Sequence, residues 1–384
     1  MQPYARSIFG EMSRLASETG AINLGQGFPD ADGPSAVSDA AIAAIAAGKG
    51  NQYPPVHGLP ELRRAISAHQ ERHYQLTVDW QQGVVVGTGA AEVIAAAVLA
   101  FVAPGDEVLL LDPYFDQYPA VVALAGGTRV SVPLGAGQRR PDLAALRAAI
   151  TPQSRVLLLN SPHNPTGLVL THDELAQIAA LAIKHDLLVI SDEAYEHLWY
   201  PGHQHIPIAS LPGMWERTIT IGSAGKSFSF TGWKVGWGTG PADLIAAVRT
   251  VRQHLSYVSS GPFQWAIADA LESANQDPEN EYFTQFRAQL KLRRDLFSDG
   301  LRGLGFSFLP SQGSYFVTTD VRPVGFASGG DFCDALPERA GLVAIPEVAL
   351  SDHPEISSPY VRWAFCKQPA VLQTALDRLA ALVG

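Results

Sequence analysis

The sequence predicts an α/β protein: a large domain whose mostly parallel sheet is sandwiched by helices, joined to a smaller α+β domain. Three observations predict it. Short apolar runs of β character alternate with helical stretches from about residue 84 to residue 240, the pattern of a parallel sheet with helices on its faces. Several of those runs are almost continuously apolar, as strands buried on both faces are. After about Glu281 the alternation stops, and a long charged helix leads into a different set of strands and helices.

In chain order, residues 1–30 carry little periodicity and end in Asn23-Leu24-Gly25-Gln26-Gly27-Phe28-Pro29-Asp30. Two glycines and a proline there mark a fixed, irregular turn, either a connector or a loop that approaches something closely. An alanine-rich helix runs from Pro34, with proline in its first turn, to Ala47, and stops at Gly48. The rigid loop Asn51-Gln52-Tyr53-Pro54-Pro55 follows, then a charged amphipathic helix over about Leu59–Tyr74. Strands are read at Val84–Thr88, Glu107–Leu111, Thr128–Val132, Arg155–Asn160, Leu187–Ser191, Thr218–Ile221 and Val235–Thr239. Helices between them include Ala90–Val102, Asp142–Ile150 and Asp173–His185. The smaller domain begins with a helix at Tyr282–Gly300. Strands follow near Ser314–Thr319, Leu342–Ile345 and Val361–Phe365, with helices around Asp331–Arg339 and Ala370–Val383. No internal repeat or low-complexity linker interrupts the chain.

At 384 residues the chain can bury a sizeable core, and 47% hydrophobic with 17% charged residues is ordinary for a soluble globular protein. A net charge of −10 without a Lys/Arg cluster argues against a nucleic-acid groove. No apolar run approaches a membrane span, and the start lacks the long apolar core of a signal peptide. Cys333 and Cys366 make neither a disulfide framework nor a zinc spacing. A cytoplasmic enzyme with free thiols is expected.

The most informative stretch is Ser223–Gly238, SAGKSFSFTGWKVGWG. A β run, Thr218–Ile221, feeds small residues and then Lys226, with Lys234 eight residues later in a Gly-Trp-Lys-Val-Gly-Trp frame. The chain has only six lysines, and Lys226 is followed by Ser-Phe-Ser-Phe rather than by a polar, mobile segment. Burial disfavours an ammonium, and the neutral amine attacks aldehydes, which is what a Schiff-base lysine requires.

This stretch resembles the lysine signature of class I/II pyridoxal-phosphate aminotransferases of the aspartate-aminotransferase fold. The signature has a small residue three before the lysine and a basic residue eight after it. The usual basic residue is arginine. Lys234 stands there instead, which is similar to the kynurenine/glutamine/methionine transaminase branch and its bacterial relatives, among them actinobacterial succinyl-diaminopimelate aminotransferases. The resemblance extends from Asn23 to Lys367. It implies that residues 1–33 pack with 282–384 as a discontinuous small domain around a large domain of 34–281.

Pyridoxal 5'-phosphate needs an aldehyde-trapping amine, an anion at its ring nitrogen, donors for its phenolic oxygen, a phosphate cradle and a stacking surface. Candidates fall at strand ends or in the loops after them, where open α/β sheets bind ligands. After Leu187–Ile190 come Asp192 and Glu193, which strand alternation sends to opposite sides. The resemblance assigns the ring-nitrogen anion to Asp192, whose other reading is a cap for the next helix. It assigns the phenolic-oxygen contacts to Tyr195 and to Asn164, the latter in the proline-stiffened loop Asn160–Gly167. Beside that asparagine, His163 reads as a locally packed residue. The strand-to-helix junction Thr88-Gly89-Ala90-Ala91 offers free N–H groups and a helix dipole to a phosphate. Ser223 and Lys234 match the other phosphate ligands.

Tyr53 matches a tyrosine that reaches the neighbouring subunit's phosphate, which implies a homodimer with a shared active site; a buried loop tyrosine is the plainer reading. Phe115 matches the aromatic that stacks on the ring, with Tyr114 as its competitor. Arg362 sits in the apolar strand Tyr360–Phe365, where a guanidinium is costly unless paired; it forks onto the substrate α-carboxylate by resemblance, or else makes an internal ion pair. Gly27 adds a backbone contact. His203 and His205 lack an acid or cysteine frame and read as solvated loop residues, so no metal is expected.

Together these imply a transaminase moving an amino group from an amino acid to a 2-oxo acid, 2-oxoglutarate being the natural acceptor. Ser259 and Ser260, in the segment Tyr257–Pro262 where kynurenine transaminases place aromatic and histidine side chains, are small and polar. That opened space suits the longer, polar donor of an N-succinyl-diaminopimelate aminotransferase of lysine biosynthesis. A broad kynurenine/glutamine/methionine aminotransferase, a C–S β-lyase sharing Lys226, Asp192 and Arg362, and a non-catalytic cofactor sensor are the alternatives. A sensor would carry a DNA-binding domain, for which no room is expected before Asn23.

Overall fold

The computed structural model describes residues 4, 5, 7–135, 137 and 139–383. Residues 1–3 and 6 of the N-terminal segment lie outside the described residues. Among the described residues thirteen strands form three sheets. In chain order they are β1 (Ile22–Asn23), β2 (Val84–Thr88), β3 (Glu107–Asp112), β4 (Thr128–Pro133), β5 (Ser154–Asn160), β6 (Leu188–Asp192), β7 (Thr218–Ser223), β8 (Val235–Thr239), β9 (Ser307–Phe308), β10 (Phe316–Asp320), β11 (Leu342–Val343), β12 (Ile345–Pro346) and β13 (Tyr360–Ala364).

The main sheet has the order β2-β8-β7-β6-β5-β3-β4. Pairings from β7 through β4 are parallel, whereas β8 runs antiparallel to both its neighbours, β2 and β7. All seven strands expected from the alternation are present, within one or two residues at each end. Their apolar runs bury Val84–Val86, Val108–Leu111, Val156–Leu159 and Ile219 with Ile221 between two helical layers. Helices at Gln117–Leu124, Ala242–Leu255 and Gly261–Gln276 complete the covering.

A four-stranded antiparallel sheet, β12-β13-β10-β9, lies in the C-terminal part and packs on the long helix Glu281–Gly303 and the last helix Pro369–Val383. One strand was expected over Leu342–Ile345, and two are found. Val343 ends the parallel pairing of β11 with β1, and Ile345 begins antiparallel pairing with Arg362 of β13. The single residue between them, Ala344, lets the chain change partners.

The N-terminal segment also departs from expectation. Residues 8–19 form a helix, closed by Gly20 in the left-handed conformation. Phe9, Met12, Leu15 and Ala16 fall at helical spacing, but only Ala16 is fully buried, so the apolar stripe is thin against its Ser, Arg and Glu neighbours. From this helix β1 leads into residues 24–30. The Leu24 amide donates to Val343 and its carbonyl accepts from Ala364, which pins the Gly-Gln-Gly loop above the C-terminal ends of β5 and β6.

Candidate functional site

The C-terminal ends of the parallel strands open into a cavity of about 360 Å³ that the loop at residues 25–28 covers. Lys226, Asp192, Asn164, Arg362, Tyr195, Phe115, Ser223, Lys234, Gly27 and the Gly89–Ala91 turn all line it. Twelve positions singled out in the sequence therefore converge on one space, and Tyr53 does not. In the single chain Tyr53 is 78% exposed and meets the Tyr257 ring edge-on at 5.3 Å, away from the cavity. Residues 257–262 are likewise absent from the cavity wall; Ser260 stands at the N-cap position of the helix Gly261–Gln276.

β7 ends at Ser223, and a four-residue helix, Ala224–Ser227, turns Lys226 inward while Phe228 anchors the following segment in the core. Lys226 Nζ donates to the Gly27 carbonyl at 2.9 Å and to the Tyr315 hydroxyl at 2.6 Å. Desolvation, reinforced by the positive charges of Lys234 and Arg362, lowers its pKa to about 8. A tenth or so of this amine is then neutral at pH 7, against well under a thousandth for a free lysine. Tyr315 carried no signal in the sequence, since it reads as one more buried aromatic of β10's approach.

Asp192 closes β6. Its Oδ2 accepts from Tyr118 at 2.6 Å and its Oδ1 from the Ala194 amide at 3.0 Å, so the capping contact and the cavity placement coexist. Burial raises its pKa, and the Tyr118 hydrogen bond opposes that rise. Tyr118 was missed in the sequence; its position three residues beyond Phe115, on the first turn of a helix, was the available clue. Glu193 points the other way and bonds Ser191 Oγ at 2.8 Å and His205 Nε2 at 2.8 Å. His205 is therefore buried, not solvated as its loop composition suggested: it satisfies a buried carboxylate. His163 is buried too, 2.8 Å from Thr166 Oγ1, and burial lowers its pKa to about 3.

Arg362 is 1% exposed. Nη1 donates to Asn164 Oδ1 at 2.7 Å and Nη2 to the Gly25 carbonyl, while the guanidinium lies 4.2 Å from the Phe316 ring centre and 4.9 Å from that of Phe9. Its Nε has no partner, and desolvation lowers its pKa to about 10. Neutral partners hold this cation in place without neutralising it, so it stays available to an anion entering the cavity. Phe9, Gln26, Phe28 and Thr231 also line the cavity; the last three lie in stretches singled out in the sequence but were given no role there. Phe115 faces the cavity, and Tyr114 is buried behind it.

At the cavity's other end the helix Gly89–Phe101 begins. Gly89 has φ +76°, and a Cβ there would stand 3.2 Å from Lys234 Nζ. Gly236 of β8 approaches closer still, where a Cβ would meet the Ala90 amide nitrogen at 2.3 Å. Both glycines let a helix N-terminus and a lysine meet in one narrow corner, a fit for a dianion. A phosphate corner, a lowered-pKa amine, a buried carboxylate and an aromatic face within one cavity match the parts of pyridoxal phosphate.

Comparison with known proteins agrees. The family model of aminotransferase class I and II matches residues 19–379. A probable N-succinyldiaminopimelate aminotransferase of Mycobacterium tuberculosis is 49% identical over 100% of this chain and 97% of its own length. Mouse kynurenine–oxoglutarate transaminase 3 is 37% identical over 96% of this chain and 86% of its own. The solved structure of N-succinyldiaminopimelate aminotransferase from Mycobacterium tuberculosis superposes with a TM-score of 0.96 at 50% identity, covering 99% of this chain and 98% of that one.

Proposed function

The chain belongs to the class I and II aminotransferases, which depend on pyridoxal phosphate, and we propose that its amino donor is N-succinyl-diaminopimelate, with 2-oxoglutarate as acceptor, in lysine biosynthesis. The observation that carries this reading is the gap in likeness: 49% identity to the mycobacterial enzyme against 37% to the mouse kynurenine transaminase, each nearly end to end.

Bound in the cavity, the cofactor supplies an aldehyde and a ring that accepts electrons from the substrate. Lys226 is the residue that would hold the aldehyde, and its amine would take the proton from the donor Cα as general base and deliver it to the cofactor's aldehyde carbon as general acid. An amine with a pKa of about 8 suits both directions near neutral pH. Asp192 provides the anion for the ring nitrogen, with Tyr118 fixing its orientation. Asn164 and Tyr195 serve the phenolic oxygen, and Phe115 the ring face. Gly89, Ala90, Ala91, Ser223 and Lys234 serve the phosphate. Arg362 takes the α-carboxylate common to donor and acceptor, and Gly27 borders it.

The working unit is a cytoplasmic homodimer in which Tyr53 completes the partner's phosphate site; its exposure in the single chain supports this. Residues 34–281 make the cofactor-binding domain, and 1–33 with 282–384 the smaller one, supported by the pairing of β1 with β11. Among the described residues no helix is long and apolar enough to cross a membrane.

A panel of amino donors with 2-oxoglutarate tests the substrate. kcat/KM should be highest for N-succinyl-LL-diaminopimelate. A higher value for kynurenine or methionine would transfer the assignment to the broad-specificity branch, and pyruvate released from cystathionine without any oxo acid would make the protein a lyase.

A further inference from the structure

The turn after β6 presents two faces. Asp192, Ala194 and Tyr195 line the cofactor cavity, whereas Glu196 and His197 turn away from it toward the helix Pro60–Tyr74. There His69 Nε2 lies 3.1 Å from Glu196 Oε2. One donor atom from each of His69, Glu196 and His197 falls within 4.8 Å of the others, and all three residues are buried. His69 and Glu196 are 127 residues apart, so no sequence spacing announces them.

The hydrogen bonding of this cluster is incomplete. His197 Nδ1 is 2.8 Å from Ser227 Oγ, which leaves its Nε2 without a partner. Glu196 Oε2 receives Tyr74 and His69, and Oε1 receives nothing. His69 Nδ1 is unpartnered, and so is Nε2 of His73, whose ring centre is 4.4 Å from that of His69. Each unmade bond in a buried site carries a penalty comparable to a lost hydrogen bond, and these four residues leave four such atoms unmet. The Arg287 cation also faces His73 and His197, and Glu193 faces Tyr74.

We propose that His69, Glu196 and His197 form a buried zinc site, with His73 or a water as fourth ligand. Two imidazoles and a carboxylate are a donor set zinc takes, and tetrahedral bonds of about 2.0–2.1 Å put neighbouring ligand atoms roughly 3.3 Å apart. The His69–Glu196 pair is already near that spacing, and the donor atom of His197 lies within 4.8 Å of both. The Ser227 contact gives the ligating His197 the outer-shell partner that fixes imidazole orientation at metals. The ion would clamp the turn carrying Asp192 and Tyr195 to the helix beneath it and, through Ser227, to the residue next to Lys226.

The holoenzyme, expressed in zinc-supplemented medium and purified without a polyhistidine tag or chelating resin, should contain about one zinc per chain by plasma mass spectrometry. H197Q and E196Q should each retain at least about tenfold less. Should those variants fail to fold, wild-type protein refolded from denaturant keeps the test: with zinc it should regain the ion and melt higher than with chelator. A wild-type zinc content below about a tenth of an ion per chain after both routes would overturn the site. Equal retention by the variants would overturn it as well.

Discussion

Replacing Tyr118 by Phe removes one hydroxyl and leaves the ring in place. Tyr118 is buried and donates to Asp192 Oδ2 at 2.6 Å, so the change leaves the carboxylate with only the Ala194 amide as a hydrogen-bond donor among the described residues. Hydrogen bonds to charged groups contribute about 1.5–3 kcal/mol, and burial makes Asp192 depend on them. If that stabilisation serves the ionised form during turnover, kcat/KM falls by roughly 10- to 150-fold. The loss also has a sign in pH. Burial already raises the Asp192 pKa and the Tyr118 bond lowers it, so Y118F raises it further. The acid limb of the kcat/KM profile then moves to higher pH, and the defect shrinks as pH rises. The assay is a steady-state profile of both proteins with thermal unfolding in parallel. An unshifted acid limb, or a defect that simply follows lost stability at every pH, would refute the argument.

Arg362→Lys keeps a cation but loses the planar fork. Both substrates should show KM raised by about 10- to 100-fold with kcat less affected, because the α-carboxylate loses paired hydrogen bonds; kcat falling alone would contradict the assignment. In the cofactor-free protein Lys226→Met should stabilise most below pH 8. The folded-state pKa of about 8 lies under the unfolded value near 10.5, so the wild-type penalty is full below pH 8 and is relieved as pH rises between them. The Tm gain should therefore be larger at pH 7 than at pH 10, and a pH-independent gain would show that the amine is not desolvated.

The sheet was legible because its strands are buried on both faces, and continuous apolar runs such as Val108–Leu111 permit little else. Most of the site residues sit at strand ends or in the loops after them, Arg362 in mid-strand being an exception, and their roles were legible through the resemblance rather than through composition. What escaped was set by tertiary partners. Tyr118 and Tyr315 are ordinary buried tyrosines until their hydroxyls meet Asp192 and Lys226. Phe9 reaches the rim only because an amphipathic N-terminal helix is docked there. His205 looked solvated because its buried partner, Glu193, lies on another segment. Ala344 became a switch between two sheets through pairings that no local propensity encodes.

Reduction of the cofactor-loaded protein with borohydride, followed by peptide mass spectrometry, tests most directly whether Lys226 is the residue that holds the aldehyde. The pyridoxyl mass should appear on the peptide containing Lys226 and on no other. Its appearance on Lys234, on Lys367, or on no lysine would contradict the account.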